Sequence, residues 1–411
     1  MSLLPHRVGA RFGALVRADL SGVRAGFVAL LISTGSGLIA GLTLGSITGT
    51  LEKLPGIMIL VPAAVGMRGN VFGALGSRLG TAVHTGTYRW SWRIDTLVGQ
   101  NLASAVALSM SLAFLLAIVA KGFAVAFGVN HAISIADFVV VSVLGGIIPI
   151  IVVMAITIAT TTLSVRNDWD LDDVAAPVVT AAADSVTLPS LFLATAFVQV
   201  HGVTPVLAVL CTVLCVVCLV AGWRTHLPVL RRIMHESVAL LVAAGIISML
   251  AGLTIEGRIS SLLALPALLV VIPPLLSLSG SLAGILSARI ASKLHLGLVE
   301  ANRGLWRGIV PDVLLVYVLG SGIFVVLAVA AEILTNLLSI SGPPVGKFVG
   351  TVLLAGFLAT TLSNFVGYFG AQLTYRYGLD PDNFGIPLTS SSSDLLGAVA
   401  LILSLVVFGL T

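Results

Sequence analysis

Eleven times along the chain a run of about twenty or more predominantly apolar residues recurs, near 22–44, 56–83, 96–120, 134–163, 174–199, 203–222, 234–255, 262–292, 309–333, 347–373 and 385–409. A helix needs ~20 such residues to cross the hydrocarbon of a bilayer. The composition agrees: 58% of residues are hydrophobic and only 9% charged, where soluble domains carry about 25% charged residues. No run alternates with period two, so a transmembrane barrel does not fit. The expectation is an all-α integral membrane protein of about eleven transmembrane helices, embedded in a lipid bilayer.

The net charge of +4 reads as a topology signal, with no nucleic-acid partner expected. If the N-terminus is cytoplasmic, most Arg and Lys fall on the inner side, and only Lys53, Lys121, Arg258 and Lys347 fall outside. Residues 1–20 then form a retained basic cytoplasmic segment of a multi-pass cell-membrane protein. Cys211, Cys215 and Cys218 share one face of the sixth run and read as packing residues.

The chain repeats itself. VPAAVGMRGNVFGALGSRLGTAVHTG (61–86) aligns without a gap to IPPLLSLSGSLAGILSARIASKLHLG (272–297), an offset of 211 that also matches AGLT at 40–43 to AGLT at 251–254. RNDWDLDDVAAPVVTAAAD (166–184) aligns to RYGLDPDNFGIPLTSSSSD (376–394) at an offset of 210. Each half holds five runs, an odd number, so direct fusion would invert the second half. The sixth run restores its direction. Two parallel five-helix repeats, 21–200 and 224–411, joined by a linker helix at 201–223, imply a pseudo-twofold axis along the membrane normal.

Two acids sit where acids are expensive. Asp184 and Asp394 occupy equivalent places about ten residues into the fifth and eleventh runs, roughly 15 Å deep at 1.5 Å per residue, where a carboxylate costs about 2.5–3.5 kcal/mol on insertion scales. They either stabilise packing, protonated or paired with Arg68, the base at membrane depth, or relay protons, or hold a passing cation. Small residues and oxygens flank them: Thr180 and Ser185 in the first copy, Ser390 and Ser391 in the second, with Asn70 and Ser281 at matched positions of the other repeated motif. These serve close helix contact or ion approach. Asp170, Asp172 and Asp173 precede the fifth run, and Asp380 and Asp382 the eleventh; such acidic rims concentrate cations. Oxygen donors without convergent thiols or imidazoles suit Mg²⁺ or a similar hard divalent cation. Gly69 and Gly280, Arg78 and Arg289 recur as structural members of the motif. No nucleophile triad, HExxH or P-loop is present, so an enzyme is not expected.

The pattern P-(x)6-G-N-(x)7-R-L-x-T-(x)4-G at Pro62, Gly69, Asn70, Arg78, Leu79, Thr81 and Gly86, with Arg68 before it, and L-D-P-D-N-(x)3-P-(x)6-D from Leu379 to Asp394, resemble the membrane domain of MgtE-type magnesium transporters and, in two-repeat form, solute carrier family 41. The resemblance implies Mg²⁺ as transported ion and a fifth-span aspartate that binds it hydrated, here Asp184 and Asp394. The assembly it leaves open is a monomer acting as a pseudo-dimer, or a homodimer. The copies differ: Ser281 replaces Asn70, and DLDDV stands for DPDNF. A Na⁺- or H⁺-coupled divalent cation exchanger and a non-transporting membrane scaffold remain alternatives.

Overall fold

A computed structural model describes residues 20–89, 91–167, 171–299, 305–378 and 385–410. Within them every element is helical: α1 Leu20–Ser46, α2 Thr48–Lys53, α3 Ile57–His84, α4 Leu97–Ala126, α5 Ile135–Asn167, α6 Leu171–Thr195, α7 Val203–Arg224, α8 Pro228–Glu256, α9 Ile259–Ala264, α10 Ala267–His295, α11 Leu305–Leu337, α12 Val345–Tyr377 and α13 Ile386–Val407. All but α2 and α9 are long and apolar enough to cross a membrane, eleven in number. Lipid offers the backbone no hydrogen bonds, so each crossing segment satisfies its own as a helix. The chain is a multi-pass, all-α membrane protein.

The short helices are the main departure from the apolar runs. The run at 262–292 divides into α9 and α10, because Pro266 cannot donate a backbone bond and sits where a new helix begins. Its counterpart at an offset of 211, Pro55, likewise separates α2 from α3. The first helix of the second half also begins earlier than its apolar run, at Pro228, a residue suited to the first helical turn.

Packing between the halves is exchanged. α1 lies against α10, and α8 against α3. Gly41 of α1 is open to the backbone of Val270, and Gly252 of α8 to the backbone of Ile59. Adding 211 to 41 gives 252, and subtracting 211 from 270 gives 59, so the two contacts are one contact with the halves interchanged. That reciprocity is the property of a twofold interface. Gly37 and Gly45 facing Pro274 and Pro266 show that α1 and α10 run antiparallel. With eleven crossings α1 and α8 both point the same way, so the twofold lies along the membrane normal and the halves are parallel.

The start of α3 is pinned by the other half. Gly56 adopts a left-handed conformation (φ 89°), and its N–H donates to Glu256 Oε1 at 2.8 Å. The helix between the halves, α7, packs on α4, α5 and α8 alone among the main contacts. Val206, Val209, Leu210, Val213 and Val217 remain exposed along it, as suits a helix bordered by lipid.

Candidate ion site between the halves

Two helices from each half, α3 and α6, α10 and α13, enclose a cavity of ≈ 660 Å³. That is ample room for a hydrated ion and further water. Asp184 and Asp394 both line it. Thr180, Asn70, Ser281, Ser390, Gly69, Gly280 and Arg78 share the same wall.

The small residues open the wall to the backbone. A methyl at Gly69 would touch Thr180 Cγ2 at 3.6 Å, and one at Gly280 would touch Ser390 Cα and Cβ at 3.6 Å. These are again one contact repeated in both halves. Larger residues at 69 or 280 would push the fifth and eleventh spans away from their partners.

Each carboxylate accepts one hydroxyl. Ser277 Oγ donates to Asp184 Oδ2 at 2.8 Å, and Ser248 Oγ donates to Asp394 Oδ2 at 2.9 Å. A hydroxyl has one proton, so Ser33, whose Oγ is 2.9 Å from that of Ser277, donates to Ser277 and extends the chain to Asp184. The two serines are not repeat mates. The mate of Ser277 is Gly66, which leaves Asp394 Oδ2 and Ser248 Oγ 3.5 and 3.7 Å from where its Cβ would be. The mate of Ser248 is Gly37, where a methyl would stand 2.7 Å from Pro274 Cβ. Both hydroxyls therefore come from the second half. Ser248 reaches into the space that Gly66 leaves empty.

The remaining residues expected at the site divide clearly. Ser185 turns its hydroxyl back to Ala181 O at 2.8 Å, and Ser391 is buried; neither lines the cavity. Arg68 is fully buried on the far side of α3, donating to Ala64 O (2.7 Å) and Ser142 O (3.3 Å) with no contact to either aspartate. Arg289 pairs with Asp312 at 2.9 Å, and Lys293 bonds the same carboxylate. Asp170, Asp380 and Asp382, and the side chains of Asp172 and Asp173, lie outside the described residues, as does the segment 1–19.

Ser277, Ser248 and Ser33 were not among the residues singled out by sequence. The signal for Ser277 was its place in the repeated motif, four residues before Ser281 and so on the same helical face. Ser248 carries no comparable mark, because its role exists only through the glycine at 66. Among the described residues no three His, Cys, Asp or Glu side chains converge to cage a metal. Two carboxylates surrounded by neutral oxygens instead suit an ion that keeps much of its water.

Comparison with known proteins identifies the family. The MgtE family, described as a divalent cation transporter, matches twice, over residues 61–194 and 272–404. Solute carrier family 41 member 2 of Homo sapiens is 26% identical over 389 residues, 86% of this chain and 64% of that protein. The Xenopus laevis protein of the same name is 26% identical over 388 residues, 86% of this chain and 65% of its own length. The chain thus spans somewhat less than two thirds of these relatives. The crystal structure of the eukaryotic MATE transporter AtDTX14 covers 95% of this chain and 96% of its own at 11% identity, with a TM-score of only 0.31. Matched twice, once in each half and over most of its length, the chain belongs to the MgtE family of divalent cation transporters.

Proposed function

We propose that this chain carries divalent cations, Mg²⁺ foremost, along the axis between its halves, and that Asp184 and Asp394 bind the ion largely through retained water. The observation that carries this is the pair of equivalent intramembrane carboxylates, one from each half, facing a single cavity. The bonded partners of the two acids are serine hydroxyls, and Arg68, the base at membrane depth, is engaged elsewhere, so among the described residues no ion pair accounts for them. Thr180, Asn70, Ser281 and Ser390 supply neutral oxygens for the outer shell of water. The acidic segments at 170–173 and 380–382 stand just before the two fifth spans and would draw cations to that end, which the distribution of basic residues makes cytoplasmic. Repeats 21–200 and 224–411 about a linker at 201–223 give the axis, and one chain supplies both sides of the path. The relatives named solute carrier family 41 member 2 support the class of cargo. An inside-negative potential favours inward movement of a dication by about 4.6 kcal/mol per 100 mV.

Purified protein in liposomes loaded with a magnesium dye, run with and without a sodium gradient, tests the reading. Wild-type chain should give saturable Mg²⁺ entry, and the double variant Asp184→Asn, Asp394→Asn should lose it while keeping its elution profile, since an amide is cheaper in the membrane than a carboxylate. Unchanged flux in the double variant eliminates the site. Dependence on the sodium gradient would assign coupled exchange.

A further inference from the structure

The repeated motif places an arginine near the end of α3 and of α10, Arg78 and Arg289, at the same offset of 211. Their surroundings differ. Arg289 is held to one side by Asp312 of α11, buried at 3% side-chain exposure, and Lys293 shares that carboxylate. The position that matches Asp312 in the first half is 101, and it holds asparagine. Asn101 is buried, donates its amide to Leu97 O at 2.9 Å, and leaves its own carbonyl oxygen without a partner. Arg78 lines the cavity that also contains Asp184 and Asp394, whereas Arg289 does not. The Nε of Arg78 donates to Ala74 O at 2.9 Å, which folds the guanidinium back along its own helix. Among the described residues it makes no ion pair. Glu236, the carboxylate that acts on it through space, is bonded to Arg232 at 2.8 Å and half exposed to solvent.

We propose that Arg78 is a fixed positive charge on the wall of the ion path, without the bonded carboxylate that Asp312 gives Arg289 because asparagine stands at position 101, and that it sets the rate at which cations pass the end of the cavity where α3 and α10 finish. This rests on the reading of the cavity as a cation path. Arg78 lies twelve residues beyond Gly66 on the same helix, about 18 Å along the axis at 1.5 Å per residue, and Gly66 abuts Asp394. The guanidinium therefore stands between the carboxylates and the basic end without touching them. It raises the energy of an entering cation there, and does so in proportion to the ion's charge. A dication roughly 10 Å from one unit charge at the dielectric of water gains about fourfold in occupancy when that charge is removed. The effect is electrostatic, so salt governs it: the Debye length falls from about 30 Å at 0.01 M to about 3 Å at 1 M.

Liposome flux of Mg²⁺ separates the possibilities. Arg78→Gln should raise flux about fourfold at low ionic strength, the gain should vanish near 1 M salt, and Arg78→Lys should behave as wild type because it keeps the charge. Asn101→Asp, which restores the carboxylate of the second half, should shift flux toward that of Arg78→Gln without altering Arg78. An Arg78→Gln protein that elutes as wild type yet shows equal or lower flux overturns the inference, as does a gain that persists at high salt or appears equally in Arg78→Lys. Those failures leave Asp-dependent flux in place. Absence of flux that depends on Asp184 and Asp394 in every variant overturns the underlying reading and the inference with it.

Discussion

Replacing Gly252 by alanine strikes the contact that joins the halves. A methyl there would lie 2.7 Å from the Ile59 carbonyl oxygen and 2.8 Å from its Cα, where non-bonded carbon atoms rest at about 3.5–4.0 Å. Both obstacles are backbone within α3 and cannot rotate away, so α8 must retreat by roughly 1 Å. Overpacking of this kind costs about 1–3 kcal/mol. Alanine at Gly122, an exposed site in α4 with nothing within 4 Å of the added atom, gains up to about 1 kcal/mol of helix propensity instead. The two substitutions should therefore shift stability in opposite directions and differ by roughly 1–4 kcal/mol. Gly252 is also one turn beyond Ser248, whose hydroxyl reaches Asp394 at 2.9 Å; a 1 Å retreat breaks that bond, so Mg²⁺ flux should fall together with stability. Thermal unfolding of detergent-solubilised protein, followed by tryptophan fluorescence, measures the first effect and liposome flux the second. Gly41→Ala, at the twofold mate, should match Gly252→Ala in stability. If Gly252→Ala melts like Gly122→Ala, the close antiparallel contact is not present.

Ser277→Ala removes the hydroxyl bonded to Asp184, an interaction of the charge-assisted kind worth about 1.5–3 kcal/mol, so Mg²⁺ affinity in titration of the purified protein should change by about tenfold or more; Ser248→Ala should act comparably through Asp394, and no change in either would detach the serines from the ion site. Asp312→Asn leaves Arg289 and Lys293 without their shared carboxylate. Because those two cations are 30% and 26% exposed, the loss should be roughly 1–3 kcal/mol, below the range for a fully buried pair, and a melting curve equal to wild type would contradict the pairing.

Periodicity and repetition made the membrane helices readable, because lipid imposes a length on apolar runs and duplication makes each half a check on the other. The positions of Asp184 and Asp394 were readable for the same reason: a carboxylate in twenty apolar residues stands out, and its recurrence at a fixed offset stands out twice. What the acids bond to was not. Whether Gly66 or Ser277 meets an acid depends on how far α3 and α10 are rotated, and sequence spacing leaves that rotation open. Arg68 illustrates the same gap from the other side: charge and depth suggested Asp184 as partner, yet α3 turns Arg68 toward the α5 backbone at Ser142. The difference between Arg78 and Arg289 depends on a residue in a neighbouring helix, Asn101 against Asp312, outside the motif that contains the arginines.

The exchanged packing of α1 on α10 and α3 on α8 has a consequence for how the protein is made. The surface of α3 that closes on Gly252 is synthesised with Ile59, and its partner follows roughly 190 residues later, about 10–40 s at common elongation rates. Through that interval the face of α3 that receives α8 has no partner from this chain, and Asp184, once made, lacks the hydroxyl of Ser277. The ion cavity is thus a late product of biogenesis, completed when the second half closes over the first.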